Sequence, residues 1–566
     1  MNDRNLGTRF ERITDVAGDE KALIFPQGEI VTYRELDAEA NRWARLLQSL
    51  GATPRSVVCI AGEKRRESFA AMLGCLKLGA AYCILDPESP VARLSRILDA
   101  CQPAVIVATA RLEGELRDRT EPRVVFDAAL GPKLFALSDE RLDGTAQLSP
   151  TLPAYVMFTS GSTGFPKGAV MTHENVSHLI AWSEDAFGFG VGEILTNLNP
   201  LYFDNSVFDF FSSLFTGAAL APLSKRLLQD PVKLIATVES LHCTSWFSVP
   251  SVLMYVESAR VLGPETLPAM RRIVFGGEGY PKSRLQVLHR LLGDRVELVN
   301  VYGPTECTCI CSAHWIGRED FDDLAGFPVL GHLTRGFEPL IVGPAGMPVR
   351  PGEVGELCLL GPQVGGGYWN DTERTSDAFV QTPCHARYRE LMYRTGDLVR
   401  QDPVTGILHI HGRADNQVKV MGHRVELEEV ELAMSRVPGV RESVAVLDGK
   451  DLVGVVSAEP DTDERLIRAT LRSLLPSYMI PVRFAFAGAL PKNANGKVDR
   501  RAAREHVAGG YATGKPVVRV GRSLRKVLRT PERMERGRTR PPDTREDATP
   551  GESIAEFGQV PASPGE

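Results

Sequence analysis

The sequence predicts an α/β protein: a large N-terminal body of doubly wound parallel-sheet subdomains, a small β-barrel-like unit closing it, and a small α+β domain at the C-terminal side. Three observations predict it. Apolar, β-branched runs alternate with helical patterns through the first half of the chain. Short strands spaced by Gly and Pro follow, and a compact mixed segment begins near Asp415. The first rhythm is that of βαβ units, whose strands are buried on both faces and therefore read as continuous apolar runs.

In order, Val57 to Ile60 is a buried strand, Arg66 to Leu78 has helical spacing, and Ala104 to Val107 is a second strand. The pattern returns with a strand at Ile194 to Leu198, a helix over Phe208 to Thr216, and strands at Thr244 to Ser248, Arg272 to Phe275 and Val296 to Val301. After Ser312 the short strands are Leu340 to Val342, Gly355 to Leu360 and Gly406 to His411. From Asp415 the reading is strand Gln417 to Val420, helix Glu426 to Ser435, strand Glu442 to Leu447 and helix Asp463 to Leu475. The expected domains are therefore 1–414, 415–506 and a tail, 507–566. Beyond Gly509 the hydrophobic period stops, and an Arg-rich run (Arg519 to Arg540) precedes an acidic, Pro-rich end, a composition that predicts disorder.

Composition narrows the function classes. Hydrophobic residues make 43% and charged residues 24%, as in ordinary globular proteins. The 65 Lys and Arg against 71 Asp and Glu give a net charge of -6, which offers no chain-wide reason to bind nucleic acid. Met1 to Thr14 lack the apolar core of a secretory signal, and no stretch is long and apolar enough to span a membrane, so a soluble, cytoplasmic protein without membrane partners is expected. The ten cysteines show no zinc spacing and are expected to be reduced. Cys307, Cys309 and Cys311, at a period of two, would share one face of a strand.

The densest chemistry lies in Phe158-Thr-Ser-Gly-Ser-Thr-Gly-Phe-Pro-Lys-Gly168, directly after the apolar run Ala154 to Phe158. Glycines let backbone approach a ligand closely, hydroxyls and N–H groups donate to phosphate oxygens, and Lys167 adds positive charge. The spacing is not that of a P-loop.

This loop resembles the signature of the adenylate-forming (AMP-binding) enzymes, the family of acyl-CoA synthetases, luciferase and nonribosomal peptide synthetase adenylation domains. Eight further stretches match in order: Val31 to Leu36, Leu76 to Tyr82, Phe203 to Ser206, Asn300 to Glu306, Gly355 to Leu357, Tyr393 to Asp397, Gly412 to Lys419 and Asn495 to Arg500. Ile84-Leu85 and Met421 depart from the family pattern. The resemblance covers about residues 10–505 and implies that the C-terminal domain is a mobile lid.

It also implies roles. Thr159, Ser160, Ser162, Thr163 and Lys167, with Gly161 and Gly164 opening the backbone, would hold the ATP phosphates. Thr305 would contact the α-phosphate, Glu306 would place Mg²⁺, Tyr302 would stack on adenine, and Asp397 with Arg413 would hold the ribose. Lys497 would reach between substrate carboxylate and α-phosphate as the catalytic cation, and Asp415 would be the hinge on which the lid turns.

Asp204, in Phe203-Asp-Asn-Ser206, matches the anchor for a substrate's α-ammonium group in amino-acid-activating members. A buried carboxylate needs such a partner, whereas a fatty or aryl acid would leave it unpaired. The other pocket positions map to Asn205, Phe208, Phe247, Val274, Gly276, Val301, Cys309 and Ile310. None carries formal charge, so the expected substrate is a neutral amino acid. The surrounding segments look closer to stand-alone ligases such as D-alanine to carrier-protein ligase than to embedded synthetase modules. Nothing resembles a carrier, condensation or thioesterase motif, so the acceptor thiol would come from a separate phosphopantetheinylated carrier protein or from coenzyme A. The alternatives are an acyl- or aryl-CoA ligase and, outside enzymes, a nucleotide-binding regulator or scaffold.

Overall fold

The computed structural model describes residues 5–161, 165–492 and 498–508. Ser162, Thr163, Gly164, Lys497 and the tail beyond 508 lie outside the described residues.

Two sheets build the body. One has six strands, in the order Arg123–Val125, Val105–Ala108, Val57–Ile60, Ala81–Ile84, Pro153–Thr159 and Lys167–Thr172. The first five run parallel and the last turns back antiparallel. The other has nine strands, and its six central ones, from Glu297–Tyr302 through Arg272–Gly276, Ser245–Ser248, Ile194–Asn197 and Ala219–Pro222 to Lys21–Ile24, are parallel. Strands such as Val57–Ile60 and Ala81–Ile84 are buried at every residue, as their unbroken apolar runs require. Helix Arg66–Leu78 ends where the helical spacing does, at Gly79 in the left-handed conformation, whose N–H caps the Cys75 and Leu76 carbonyls.

An antiparallel five-stranded sheet (Glu338–Val342, Val354–Leu360, Leu391–Gln401, Phe379–Gln381, Leu408–Arg413) closes the body. The lid is a hairpin, Gln417–Val420 with His423–Glu426, and a three-stranded sheet, Val440–Asp448, Asp451–Ala458 and Arg483–Phe486, packed with helices Leu427–Met434, Glu464–Leu474 and Arg500–Ala508. No helix among the described residues is long and apolar enough to cross a membrane.

One local expectation fails. Cys307, Cys309 and Cys311 do not lie along a strand: Thr305–Cys307 is a short 3-10 turn, Thr308 and Cys309 have φ of 57° and 73°, and the next strand starts at Ser312. A chain leaving a parallel strand through Gly303-Pro304 must bend sharply, and the left-handed pair makes that bend.

Candidate active site

Strand Pro153–Thr159 and strand Lys167–Thr172 are paired, with Thr159 opposite Lys167, so the Gly/Ser/Thr loop is the tip of a β-hairpin. Lys167, the first residue of the returning strand, stands at the base of that hairpin. A Cβ on Gly161 would collide with the Phe165 carbonyl, which is why that position must be glycine. The Thr159 hydroxyl is buried without a partner, and Ser160 donates to the Arg424 carbonyl of the lid at 2.9 Å.

Glu306 is completely buried just past strand Glu297–Tyr302. Tyr368 donates to it at 2.7 Å, Lys167 approaches to 3.2 Å, and Arg424 spans both oxygens at 2.9 and 3.1 Å. Burial alone would raise this carboxyl, but the Arg424 guanidinium and the Lys167 ammonium hold it well below the ordinary range. An ionised carboxylate is the donor that Mg²⁺ prefers, so Glu306 fits the ion chemically; its partners in the structure are Arg424, Lys167 and Tyr368.

Asp397 and Arg413 are register partners on adjacent strands, which puts Arg413 Nη1 2.6 Å from the Asp397 carboxylate. The Tyr302 hydroxyl donates to the other oxygen at 2.5 Å. Arg413 also grips Asp415 through two nitrogens, both at 2.6 Å. The junction between body and lid is thus tied to the same arginine that pairs with Asp397.

Asp204 directly precedes helix Asn205–Leu214, the place where an aspartate usually caps the helix, yet it makes no cap bond. Its carboxylate instead lines the cavity and accepts the Thr305 hydroxyl at 2.5 Å. Loss of water raises this carboxyl, against the pull of the Thr305 bond and the Lys419 ammonium. Asn205, Phe247, Gly276, Val301, Cys309 and Ile310 share the cavity wall with it. Phe208 and Val274 stand behind that wall: the Phe208 ring packs edge-on against Phe247 at 5.2 Å, and Val274 pairs with Phe247 in the sheet. Gly276 is small for a further reason, because a Cβ there would collide with the Val301 carbonyl.

The lid completes the cavity, which encloses about 90 Å³, with Gln417, Lys419, Gly422, Arg424 and Tyr478. Gly422, with φ of 82°, turns the hairpin so close to the body that a Cβ would lie 2.5 Å from a Val249 methyl. Sequence reading missed Lys419 as a site residue, along with Arg424 and Tyr368. Lys419 closes the Gly412 motif and Arg424 follows two residues after its turn glycine, but their partners lie elsewhere in the chain. Lys492 and Val498, the described residues flanking position 497, bridge each other on the lid, and neither lines the cavity.

Body and lid also meet at Arg93 and at Phe203. Arg93, in helix Val91–Cys101, bonds Glu429, both almost fully buried. His423 stacks on Tyr478 with ring centroids 3.9 Å apart and lies 4.4 Å from Phe203. Burial, helped by Lys225, pushes the His423 imidazole down to about 4. Because the folded value lies below the unfolded one, about 6.5, the folded state binds fewer protons. Its contribution is full above about pH 6.5 and is lost as pH falls toward 4. The melting temperature should therefore fall less between about pH 7.5 and about pH 5 in His423→Phe, which keeps the stack without the titration, than in the wild type; an unchanged pH slope would contradict the role of this stack.

A model of the family described as AMP-binding enzyme matches residues 10–369, and one described as AMP-binding enzyme C-terminal domain matches residues 429–497. The chain is 32% identical over 513 residues to an L-proline--[L-prolyl-carrier protein] ligase of Pseudomonas fluorescens, covering 88% of this chain and 97% of that one. It is 33% identical over 479 residues to a dimodular nonribosomal peptide synthase of Bacillus subtilis, covering 83% of this chain but spanning only 20% of the synthase. Against surfactin synthase subunit 3 of Bacillus subtilis the span is 38%. Among solved structures, holo-PA1221, a nonribosomal peptide synthetase protein containing adenylation and carrier domains, superposes with a TM-score of 0.74 at 26% identity, over 88% of this chain and 84% of that one.

Proposed function

The chain belongs to the AMP-binding enzyme family, and on that premise we propose that it activates a neutral amino acid as its adenylate, releasing pyrophosphate from ATP, and passes the aminoacyl group to a phosphopantetheine thiol of a separate carrier protein. The observation that carries the amino-acid reading is Asp204. Its carboxylate lines the cavity and forgoes the helix cap beside it; Asn205, Phe247, Gly276, Val301, Cys309 and Ile310 on its side of the cavity are uncharged, whereas the charged lining groups Arg93, Asp397, Arg413, Lys419 and Arg424 come from other elements. A substrate ammonium group supplies the partner that such a carboxylate requires, and a charged substrate side chain would find none on that side.

In this reading Thr159, Ser160 and Lys167, with the remaining loop residues, hold the phosphates, while Asp397, Arg413 and Tyr302 hold ribose and adenine. Glu306 would hold a magnesium ion, which would neutralise phosphate charge as pyrophosphate departs. Domains 1–414 and 415–506 act as body and lid, turning about Asp415. The lid pose described above supports a second step that differs from the first: Arg424 neutralises Glu306, and the hairpin of Lys419 and Gly422 faces the cavity, a geometry suited to thiol transfer after pyrophosphate and magnesium have left.

Arg93 and Glu429 test that assignment. Removing one member of a buried ion pair strands the other, at about 3–5 kcal/mol. Arg93→Ala should therefore slow thiol transfer by about 10²-fold or more while changing pyrophosphate exchange much less; equal loss in both would mean that the pair merely holds the fold. Direct loading of a carrier-protein thiol, read by intact mass, tests the overall function, with coenzyme A as the competing acceptor. Loading of coenzyme A alone would favour the CoA-ligase alternative.

A further inference from the structure

Three cysteines far apart in sequence converge in the six-stranded sheet. Cys59 and Cys83 are register partners in neighbouring parallel strands, so their side chains leave the same face of the sheet. Cys101 is the last residue of helix Val91–Cys101, which covers that face through Leu94, Ile97 and Leu98. The Cys59 and Cys101 sulfurs are 3.6 Å apart, and all three sulfurs lie within 4.8 Å of one another. All three residues have no exposed surface. Among the described residues, this is the one group of His, Cys, Asp and Glu side chains close enough to share an ion.

The spacing suits a central atom. Bonds of about 2.3 Å to three sulfurs place those sulfurs about 4 Å apart when planar, and closer when pyramidal. Soft, thiophilic ions are the class that three sulfurs select. Charge then chooses within the class. The surroundings are Val57, Ala81, Ile106 and their apolar neighbours, and the influences on the Cys101 thiol are the other two sulfurs and burial, with no charged side chain among them. Three thiolates around a monovalent or divalent metal would leave net negative charge buried without a counterion, which is costly. A trivalent centre leaves none.

We infer that Cys59, Cys83 and Cys101 form a binding site for a trivalent arsenical, held by three sulfurs. Arsenite reacts without redox change. Three S–H and three As–OH bonds break, three As–S bonds form, each thiol proton leaves with a hydroxide as water, and the product is neutral. Its lone pair removes the need for a fourth ligand that the apolar core lacks. Entry requires the end of helix Val91–Cys101 to lift locally, so binding should be slow.

The test uses the full chain with arsenite in excess glutathione, which suppresses sites of one or two thiols. Native mass spectrometry should show one arsenic gained and three protons lost, and the melting temperature should rise, because the ligand binds the folded state. X-ray absorption at the arsenic edge should count three sulfurs and no oxygen. Cys83→Ala should weaken binding by about 100-fold or more, while Cys307→Ala, at a buried cysteine outside the cluster, should leave it unchanged. Because Cys83→Ala could fold poorly, the absorption measurement on the wild type stands independently. Arsenic bound through two sulfurs and an oxygen, binding unaffected in a folded Cys83→Ala, or tighter capture of zinc than of arsenite by the same cysteines would each overturn the assignment.

Discussion

Lys497→Ala should slow adenylate formation by about 10²- to 10³-fold with ATP affinity changed much less, and should leave thiol transfer from pre-made aminoacyl-adenylate near the wild-type rate. The reason is where charge gathers. In the first half-reaction a carboxylate attacks an anionic phosphorus, and a cation between the two orients the attack and neutralises the transition state. In the second, a thiol attacks a finished mixed anhydride and the crowding is gone. The body–lid contacts fit such a division of labour: the lid's hairpin places Arg424 on Glu306, accepts the Ser160 hydroxyl and packs Gly422 against Val249. Rapid-quench measurement of each half-reaction separates the two rates. Equal damage to both would leave Lys497 as a structural contact and remove the case for a turning lid.

Asp204→Ala should lower kcat/KM for the preferred amino acid by about 10²-fold or more, the loss expected when a charge-assisted contact to the substrate amine is removed. The loss should fall on the amine. The matching acid without its amino group, a poor substrate for the wild type, should gain relative to the amino acid in the variant, because no carboxylate is then left buried and unpaired beneath it. Asp204→Asn is the control for shape, since it keeps the Thr305 contact while deleting the charge. Full activity in either variant would move the anchor elsewhere.

Much of the body and part of the lid were legible because their signals are local. The apolar run Val57–Ile60, the helical spacing of Arg66–Leu78 and the strand Gln417–Val420 depend on neighbours a few residues away, and the structure places all three at the expected bounds. Helix Asn205–Leu214 begins three residues earlier than the Phe208 expected; Asp204 stands at the cap position, but its side chain turns to the cavity and makes no cap bond. The hairpin strand His423–Glu426 was unreadable because its Arg424 pairs with Glu306 across the lid–body boundary, and such a pair carries no local periodicity. The site divides the same way. Asp204, Asp397 and Glu306 sit in chain-local motifs, whereas Arg424, 118 positions from Glu306, becomes its partner only through tertiary packing. Phe208 and Val274 show the limit of motif mapping, since a position next to the wall in sequence register can still stand one layer behind it. The trio of cysteines at 307–311 was misread because period-two spacing cannot reveal the left-handed residues at Thr308 and Cys309.

The central claim is that the cavity lined by Asp204 accepts an amino acid through its ammonium group. ATP–pyrophosphate exchange with the full chain, run over the amino acids and over each one's analogue lacking the amine, tests it most directly. The account predicts exchange with a neutral amino acid and at least about 10²-fold less with its amine-free analogue, the difference vanishing in Asp204→Ala. Exchange with a fatty or aryl acid that equals or exceeds that of every amino acid would contradict it.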